Sequence, residues 1–384
     1  MPKLKMLGYS LVNTLVLILL TILLHNQPYL YKDEELVISL NKIVKTIILG
    51  WESKPPSENY LFINTAYDNQ LTDKYDDSGV IPLGNEPITD RVKLGKLFKI
   101  LESSPSYKHI ICDIFFEFST DNDSLLRQSI TNLSRITIPY QLSSSGDIVA
   151  PIFDSVSRGL ATIETLNDTF LKYSLTYQDS LHSIPLVVYE SLYNTKYEPG
   201  WLFGKLGSYR IVDYFIPEYR IRNYDLLIDK SYTLVSLGDL LILGDKNILE
   251  LANNRLIVIG DFTEYDIVDT PTGEIAGPLL ITNVLISLEK GDVYLTMNFM
   301  LFIFVSYFLL SLLVFHPNDI VEKGINRLKI GRRLKNFLIG ISYVFFLGII
   351  SSSSYVIFHL YVNVFFLAIY MFLFDVVRKK KLKV

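Results

Sequence analysis

Between Asn336 and Phe374 the chain runs for 39 residues without a Lys, Arg, Asp or Glu. One helix of that length would be about 58 Å long, nearly twice the roughly 30 Å hydrocarbon thickness of a bilayer. The segment 336–377 is therefore expected to fold back as a hairpin, with the Ser351–Ser354 run as its turn. Two other uncharged stretches are each long enough for one crossing: Met6 to Leu24, preceded by Lys3 and Lys5, and Tyr294 to Phe315, between Asp292 and His316. The first also has the basic start and apolar middle of a signal peptide. Its exit, His25-Asn26-Gln27-Pro28, lacks a small-x-small cleavage pattern, which favours a retained anchor over residues 1–25. Four spans are expected: 1–25, 294–315 and two within 336–377.

Charge orients them. Lys3 and Lys5, six basic residues in the 316–335 loop and five in the tail from Arg378 to Lys383 face only Asp319, Glu322 and Asp375. That leaves 23 basic and 37 acidic residues for 26–293, a net charge of −14. Basic loops stay in the cytoplasm. Both termini, the 316–335 loop and the 378–384 tail are thus expected inside, and 26–293 outside, in a cell membrane of bacterial type. An even number of spans agrees with that. Within the uncharged cores 6–24, 294–315 and 336–374, His359 is the one Lys, Arg, His, Asp or Glu, and it is expected to make a helix–helix hydrogen bond.

What lies outside is large enough to bury a core of its own. It holds the single cysteine, Cys112, so no intrachain disulfide forms. No C-x-x-C or H-E-x-x-H occurs and the five His are scattered, so neither a metal site nor a cofactor is expected. The acidic charge excludes nucleic acid.

Along 26–293, Glu35 to Leu49 has a helical apolar period, ended by Lys54-Pro55-Pro56. Strands are expected at Tyr60–Asn64, His109–Phe116, Ile136–Ile138, Ile211–Phe215, Thr233–Val235 and Arg255–Gly260, with a charged loop after the first (Asp73, Asp76, Asp77). Helices are expected at Thr89–Leu101 (capped by Thr89 or Asp90), Ser124–Leu133, Ile184–Tyr193, from Leu237, at Asn247–Ala252 and at Pro278–Glu289. Apolar strands alternating with helices define an α/β domain with a mainly parallel sheet.

Two segments resemble the type-2 CHASE family of extracellular sensory domains. Ile110–Ile130 has an apolar strand ending in an Asp, then an aromatic and an Asp opening a helix, at Asp113, Phe116 and Asp123, with Leu126 following. Arg255–Gly291 has Ile259, Gly260, Asp266, Thr270, Pro271, Gly273, Gly277 and Asn283 in the family's strand–loop–Thr-Pro–Gly–helix pattern. The resemblance covers roughly 28–292, with Leu279 and Ile281 where a Glu and a His are common. It implies a sensory domain, dimerisation and a fused kinase or cyclase output. No such output fits after the last span, so the output is expected in trans, from a membrane kinase or cyclase.

Acidic residues cluster beyond two strands: Asp113, Glu117, Asp121 and Asp123 after one, Asp261, Glu264, Asp266 and Asp269 after the other. Ligands of open α/β sheets bind beyond the carboxyl ends of strands. If the strands are neighbours, these groups converge on a cation or cationic ligand. In the alternative, Asp123 caps a helix while Asp266 and Asp269 brace the Thr270-Pro271-x-Gly273 turn. Arg91 and Lys93, at the first turn of a helix, either meet an anion or lie on a solvated face. The expected function is a membrane-anchored sensor of an extracytoplasmic ligand. The alternatives are an envelope enzyme built on Asp113, Asp123 and Asp266, or a scaffold subunit.

Overall fold

The computed structural model describes residues 3–25, 39, 41–45, 50, 54–75, 81–315 apart from 144, 154, 164, 166–168, 179 and 272, and 325, 327 and 331–381. Most of the 316–335 loop, the end of the tail and most of the expected 35–49 helix therefore lie outside the described residues. Within that last stretch Ser39 and residues 41–45 are helical. The chain forms two compact units, one of residues 1–51, 198–216 and 291–384, the other of 52–197 and 217–290.

The 52–197/217–290 unit is a mixed α/β fold. Its central sheet contains β1 (Tyr60–Asn64), β4 (His109–Cys112), β5 (Ile136–Leu142), β6 (Ser157–Leu160), β9 (Leu234–Ser236) and β10 (Leu256–Gly260). These run parallel in the order β9-β1-β10-β4-β5-β6, and Ile148–Val149 adds a short antiparallel piece to β5. Strand alternation divides the side chains between two layers. Leu61, Ile63, Ile110, Cys112, Ile257 and Ile259 enter one core with α2 (Arg91–Ser103), α3 (Asp123–Asn132), α6 (Leu237–Ile242) and α7 (Asp245–Ala252). On the other face lie α4 (Ile184–Tyr193) and α8 (Gly277–Lys290), whose residues from Gly277 to Leu288 are all buried. With helices on both faces, the strands read as apolar runs without polar alternation.

Asp90 caps α2 as expected, accepting from Val92 N at 2.9 Å and Lys93 N at 3.0 Å. The expected loop after β1 is instead a hairpin, β2 (Asn69–Tyr75) with β3 (Pro82–Thr89). Its sequence, NQLTDKY opposite PLGNEPIT, has no apolar face. An exposed two-stranded ribbon needs none, so hydropathy does not reveal it. The expected strand from His109 stops at Cys112, and the loop after β10 holds a second hairpin, β11 (Ile267–Thr270) with β12 (Gly273–Ala276). The turn joining them contains Pro271, and Gly273 has φ +107°.

In the other unit, three helices among the described residues are long and apolar enough to cross a membrane: Leu4–His25 of α1 (Lys3–His25), α9 (Met297–Phe315), and Leu338–Phe358 of α10 (Arg332–Phe358). The expected fourth span is a shorter apolar stretch, Val364–Val377, of α11 (Val364–Lys381). Asn13 joins three of these helices, donating to Ser311 Oγ at 2.8 Å and accepting from Tyr370 Oη at 2.9 Å. Thr21 and Tyr307 hydroxyls lie 2.7 Å apart.

The hairpin does not turn at Ser351–Ser354; these residues lie inside α10, and the chain reverses over 359–363. His359 ends the helix with φ +61°, donating its N–H to Tyr355 O at 2.9 Å. Ser351 Oγ donates to Val362 O at 2.7 Å, and Ser354 Oγ to Leu360 O at 2.5 Å. Serine hydroxyls thus satisfy carbonyls of the buried turn that no helix serves, which explains a serine run one turn before the reversal. His359 is also not isolated among apolar helices. Its Nδ1 lies 2.7 Å from Lys45 Nζ and its Nε2 3.6 Å from Asp292 Oδ1. No sequence spacing links those three residues.

Candidate functional site

The two strands carrying the acidic clusters are neighbours. Ile259 pairs with Cys112, and Asp113 N donates to Ile259 O at 2.8 Å. On the other side of β10, Asn64 ends β1 opposite Gly260. Its Oδ1 accepts from both Ala66 N and Phe262 N at 3.2 Å, tying the two strand exits together. Sequence reasoning does not single out Asn64; its one signal is an amide ending a wholly buried run.

Of the acidic groups, Asp113 and Asp266 lie near enough for the charge of Asp266 to act on Asp113. A Cβ at Gly260 would lie 2.5 Å from Pro278 Cγ and 3.4 Å from Asp113 Cβ, so glycine lets β10, the Asp113 loop and the start of α8 close together. A Cβ at Gly277 would overlap the carboxylate of Asp266. Gly277 N also donates to Asp266 O at 2.7 Å. The result is a half-buried pair of carboxyls at the carboxyl end of β4 and β10, beside the N-terminus of a 14-residue helix.

Burial raises both groups. Asp113 is pushed well above the usual carboxylate range by desolvation and then by the charge of Asp266. Asp266 is pushed up to about 6 by desolvation and then by Asp261. Both shifts favour the protonated form, in which a carboxyl can donate a hydrogen bond as well as accept one.

The other expected site residues have different work. Asp261 accepts from Thr263, Glu264 and Tyr265 N–H groups at 2.8, 3.0 and 2.9 Å, bracing the loop after β10. Asp123 accepts from Thr120 N and Oγ1 at 2.5 and 2.9 Å; the N-cap position of α3 is Asn122. Asp269 is an exposed strand residue whose carbonyl accepts from Phe170 N at 2.7 Å, and Glu117, Asp121 and Glu264 are exposed. The Thr-Pro-x-Gly turn is braced by Thr270, whose hydroxyl donates to Gly273 O at 2.5 Å. Among the described residues no three His, Cys, Asp or Glu side chains form a metal-ligand group.

Asn283, fully buried on α8, holds Ile221 by both backbone groups. Its Oδ1 accepts from Ile221 N at 3.0 Å and its Nδ2 donates to Ile221 O at 2.8 Å. Arg91 is buried, whereas Lys93 keeps a partly exposed side chain that is engaged in an ion pair. Arg91 is 1% exposed, stacks on Phe116 with its guanidinium 4.5 Å from the ring centre, and lies 3.9 Å from Asp123. Lys93 Nζ donates to Asp68 at 2.5 Å, which holds its pKa above the ordinary lysine value. Asp68 also accepts from Gly238 N at 3.0 Å, joining the starts of α2 and α6.

Fold and site together define a mixed α/β protein with a mainly parallel sheet, a carboxyl pair at its carboxyl edge, and apolar helices fit to span a membrane. No family model, curated protein or solved structure matches the chain.

Proposed function

We propose that this chain is a membrane-anchored sensory protein of the type-2 CHASE kind. In this reading it crosses the membrane four times with both termini cytoplasmic, and its α/β unit binds a small extracytoplasmic ligand at the Asp113–Asp266 edge. The observation that carries the reading is the carboxyl pair itself. Two acidic groups held half-buried, with raised pKa values and at the strand ends where α/β sheets bind ligands, are costly unless something is recognised there. A ligand with an amine or amide next to a hydroxyl or carbonyl matches a site offering both acceptor and donor. Output passes to a membrane kinase or cyclase partner.

The test is thermal melting of the full chain in lipid nanodiscs against amines, amino acids and polyamines. A true ligand at a hundredfold excess over its Kd adds about 2.7 kcal/mol of stability. Asp113→Asn and Asp266→Asn are expected to remove that gain. Stabilisation that survives the double variant would sink the assignment of this edge. The cytoplasmic placement of both termini is checked with alkaline phosphatase fusions, which should be inactive at either end and active after residue 59.

Two desolvated carboxyls with raised pKa at one sheet edge also favour a second reading, an envelope hydrolase in which Asp113 is the acid and Asp266 the base. It is distinguished by turnover: an enzyme loses it with Asp113→Asn while ligand binding persists.

A further inference from the structure

Trp201 is 88% exposed, the most exposed large aromatic among the described residues. It is followed by a short hairpin, β7 (Gly204–Leu206) with β8 (Tyr209–Ile211), in the unit that contains the apolar helices. The hairpin is fastened to the stretch that leads into α9. Ile211 forms a bridge with Tyr294, Val212 N donates to Val293 O at 3.1 Å, and Leu295 N donates to Arg210 O at 2.8 Å. Tyr209 stacks on Tyr294 with centroids 4.4 Å apart and planes 7° from parallel.

We infer that the 199–211 segment is an interfacial foot, seated in the phospholipid headgroups of the bilayer that holds α9. The inference rests on reading α9 as a span. Leu295 lies two residues before the helix begins at Met297, so hairpin and helix start are separated by at most about 7 Å of chain. The headgroup layer is roughly 5–7 Å deep on each side of the hydrocarbon, so a hairpin fastened there lies within it. Trp and Tyr favour that layer because the ring is apolar and its N–H or O–H remains hydrated.

One detail favours phospholipid over open water, and two more show how the segment is held. Lys205 and Arg210 are directly opposite each other on the hairpin, a like-charge pair that costs stability in water and suits headgroup phosphates. Arg210 also lies over Phe203, 5.0 Å from the ring centre, and the ion pair of Lys205 with Glu198 is long, at 4.0 Å. Finally, the turn projecting Trp201 requires glycine: a Cβ at Gly200 would overlap the carbonyl oxygen of Phe203. Because Glu198 and Asp213 offset the two cations over 198–216, seating should need phosphate but no excess of anionic lipid.

The chain has two tryptophans, so Trp51→Phe leaves Trp201 as the sole tryptophan, excited selectively at the red edge of the absorption where tyrosine does not absorb. In nanodiscs, phosphatidylcholine brominated high on the acyl chain is expected to lower Trp201 emission about twofold, and lipid brominated near the bilayer centre to lower it less. Emission indifferent to both, but quenched fully by iodide, would overturn the inference. Shielding from both quenchers would overturn it too, by showing a protein partner or second copy there. Phe304→Trp in a chain with neither native tryptophan is the control for the span. Deep quenching at 304 with none at 201 defeats the foot alone, whereas no quenching at 304 defeats the span. A second measurement does not depend on position 51: Trp201→Cys carrying a nitroxide, with Cys112 buried, should be more accessible to oxygen than to a water-soluble nickel chelate. The reverse order would overturn the foot.

Discussion

The carboxylate of Asp266 lies against the Cα of Gly277, the first residue of α8, where any side chain would overlap its oxygens. This contact places an acidic group at the positive end of the α8 dipole while keeping it half out of water. Gly277→Ala should therefore destabilise the fold by about 1–3 kcal/mol although alanine is the better helix former. In an Asp266→Ala background the same change should be close to neutral. Urea melts of the four members of the cycle would show that coupling, and additive losses would mean that the contact is not the cause.

Two desolvated groups, half-buried Asp266 and buried His109, tie stability to pH with opposite signs. The raised pKa of Asp266 means that its ionisation is disfavoured in the folded state, so its contribution is best in acid and declines as pH rises from its ordinary 3.8 through about 6. His109, buried with Nε2 2.9 Å from Thr137 Oγ1, is lowered from 6.5 to about 4, mainly by desolvation and then by Arg135. Its neutral form is the folded one, so its contribution is complete above 6.5 and is lost as pH falls through about 4. Each spans on the order of 3 kcal/mol, and over the shared window they oppose each other. Asp266→Asn should make stability climb more steeply with pH between about 4 and 6.5, and His109→Gln should make it fall. Melting temperatures across that window read both slopes, and parallel curves for all three proteins would refute the assignment.

Asn283 bonds both backbone groups of Ile221, a residue that is itself fully buried. Asn283→Leu keeps the volume but leaves an N–H and a carbonyl without that partner, at about 1–3 kcal/mol each. A loss below about 1 kcal/mol in denaturant melts would mean that water replaces the amide.

Asn13 makes hydrogen bonds similar in number but different in consequence. It joins side chains on helices whose backbones are already satisfied, so Asn13→Leu should cost only about 1 kcal/mol in detergent unfolding. A cost as large as that of Asn283→Leu would argue that Asn13 has a further role.

Period and propensity were enough for much of the fold. β1, β10, α2, α3, α4 and α8 lie within a few residues of their expected positions because each buries a continuous apolar face, and Asp90 caps α2 by a purely local rule. The apolar helices were legible for the same reason. The β2–β3 hairpin was not, since an exposed ribbon leaves no hydrophobic trace. Neither was the reversal at 359–363, where Ser351 and Ser354 bond carbonyls across the turn instead of forming it.

For the site, the sequence supplied the acidic residues and their places after two strands. It could not say which of them meet. That depended on β10 inserting between β1 and β4, pairings such as Leu256 with Tyr60 and with His109 that lie far apart in sequence, and on two glycines that let α8 close over the strand ends. The same closure half-buried Asp113 and Asp266, while Glu117 and Asp121, a few residues further along the first loop, stayed in water. Local sequence determines which groups a loop can offer; only long-range packing determines which are desolvated, and desolvation is what shifts their protons.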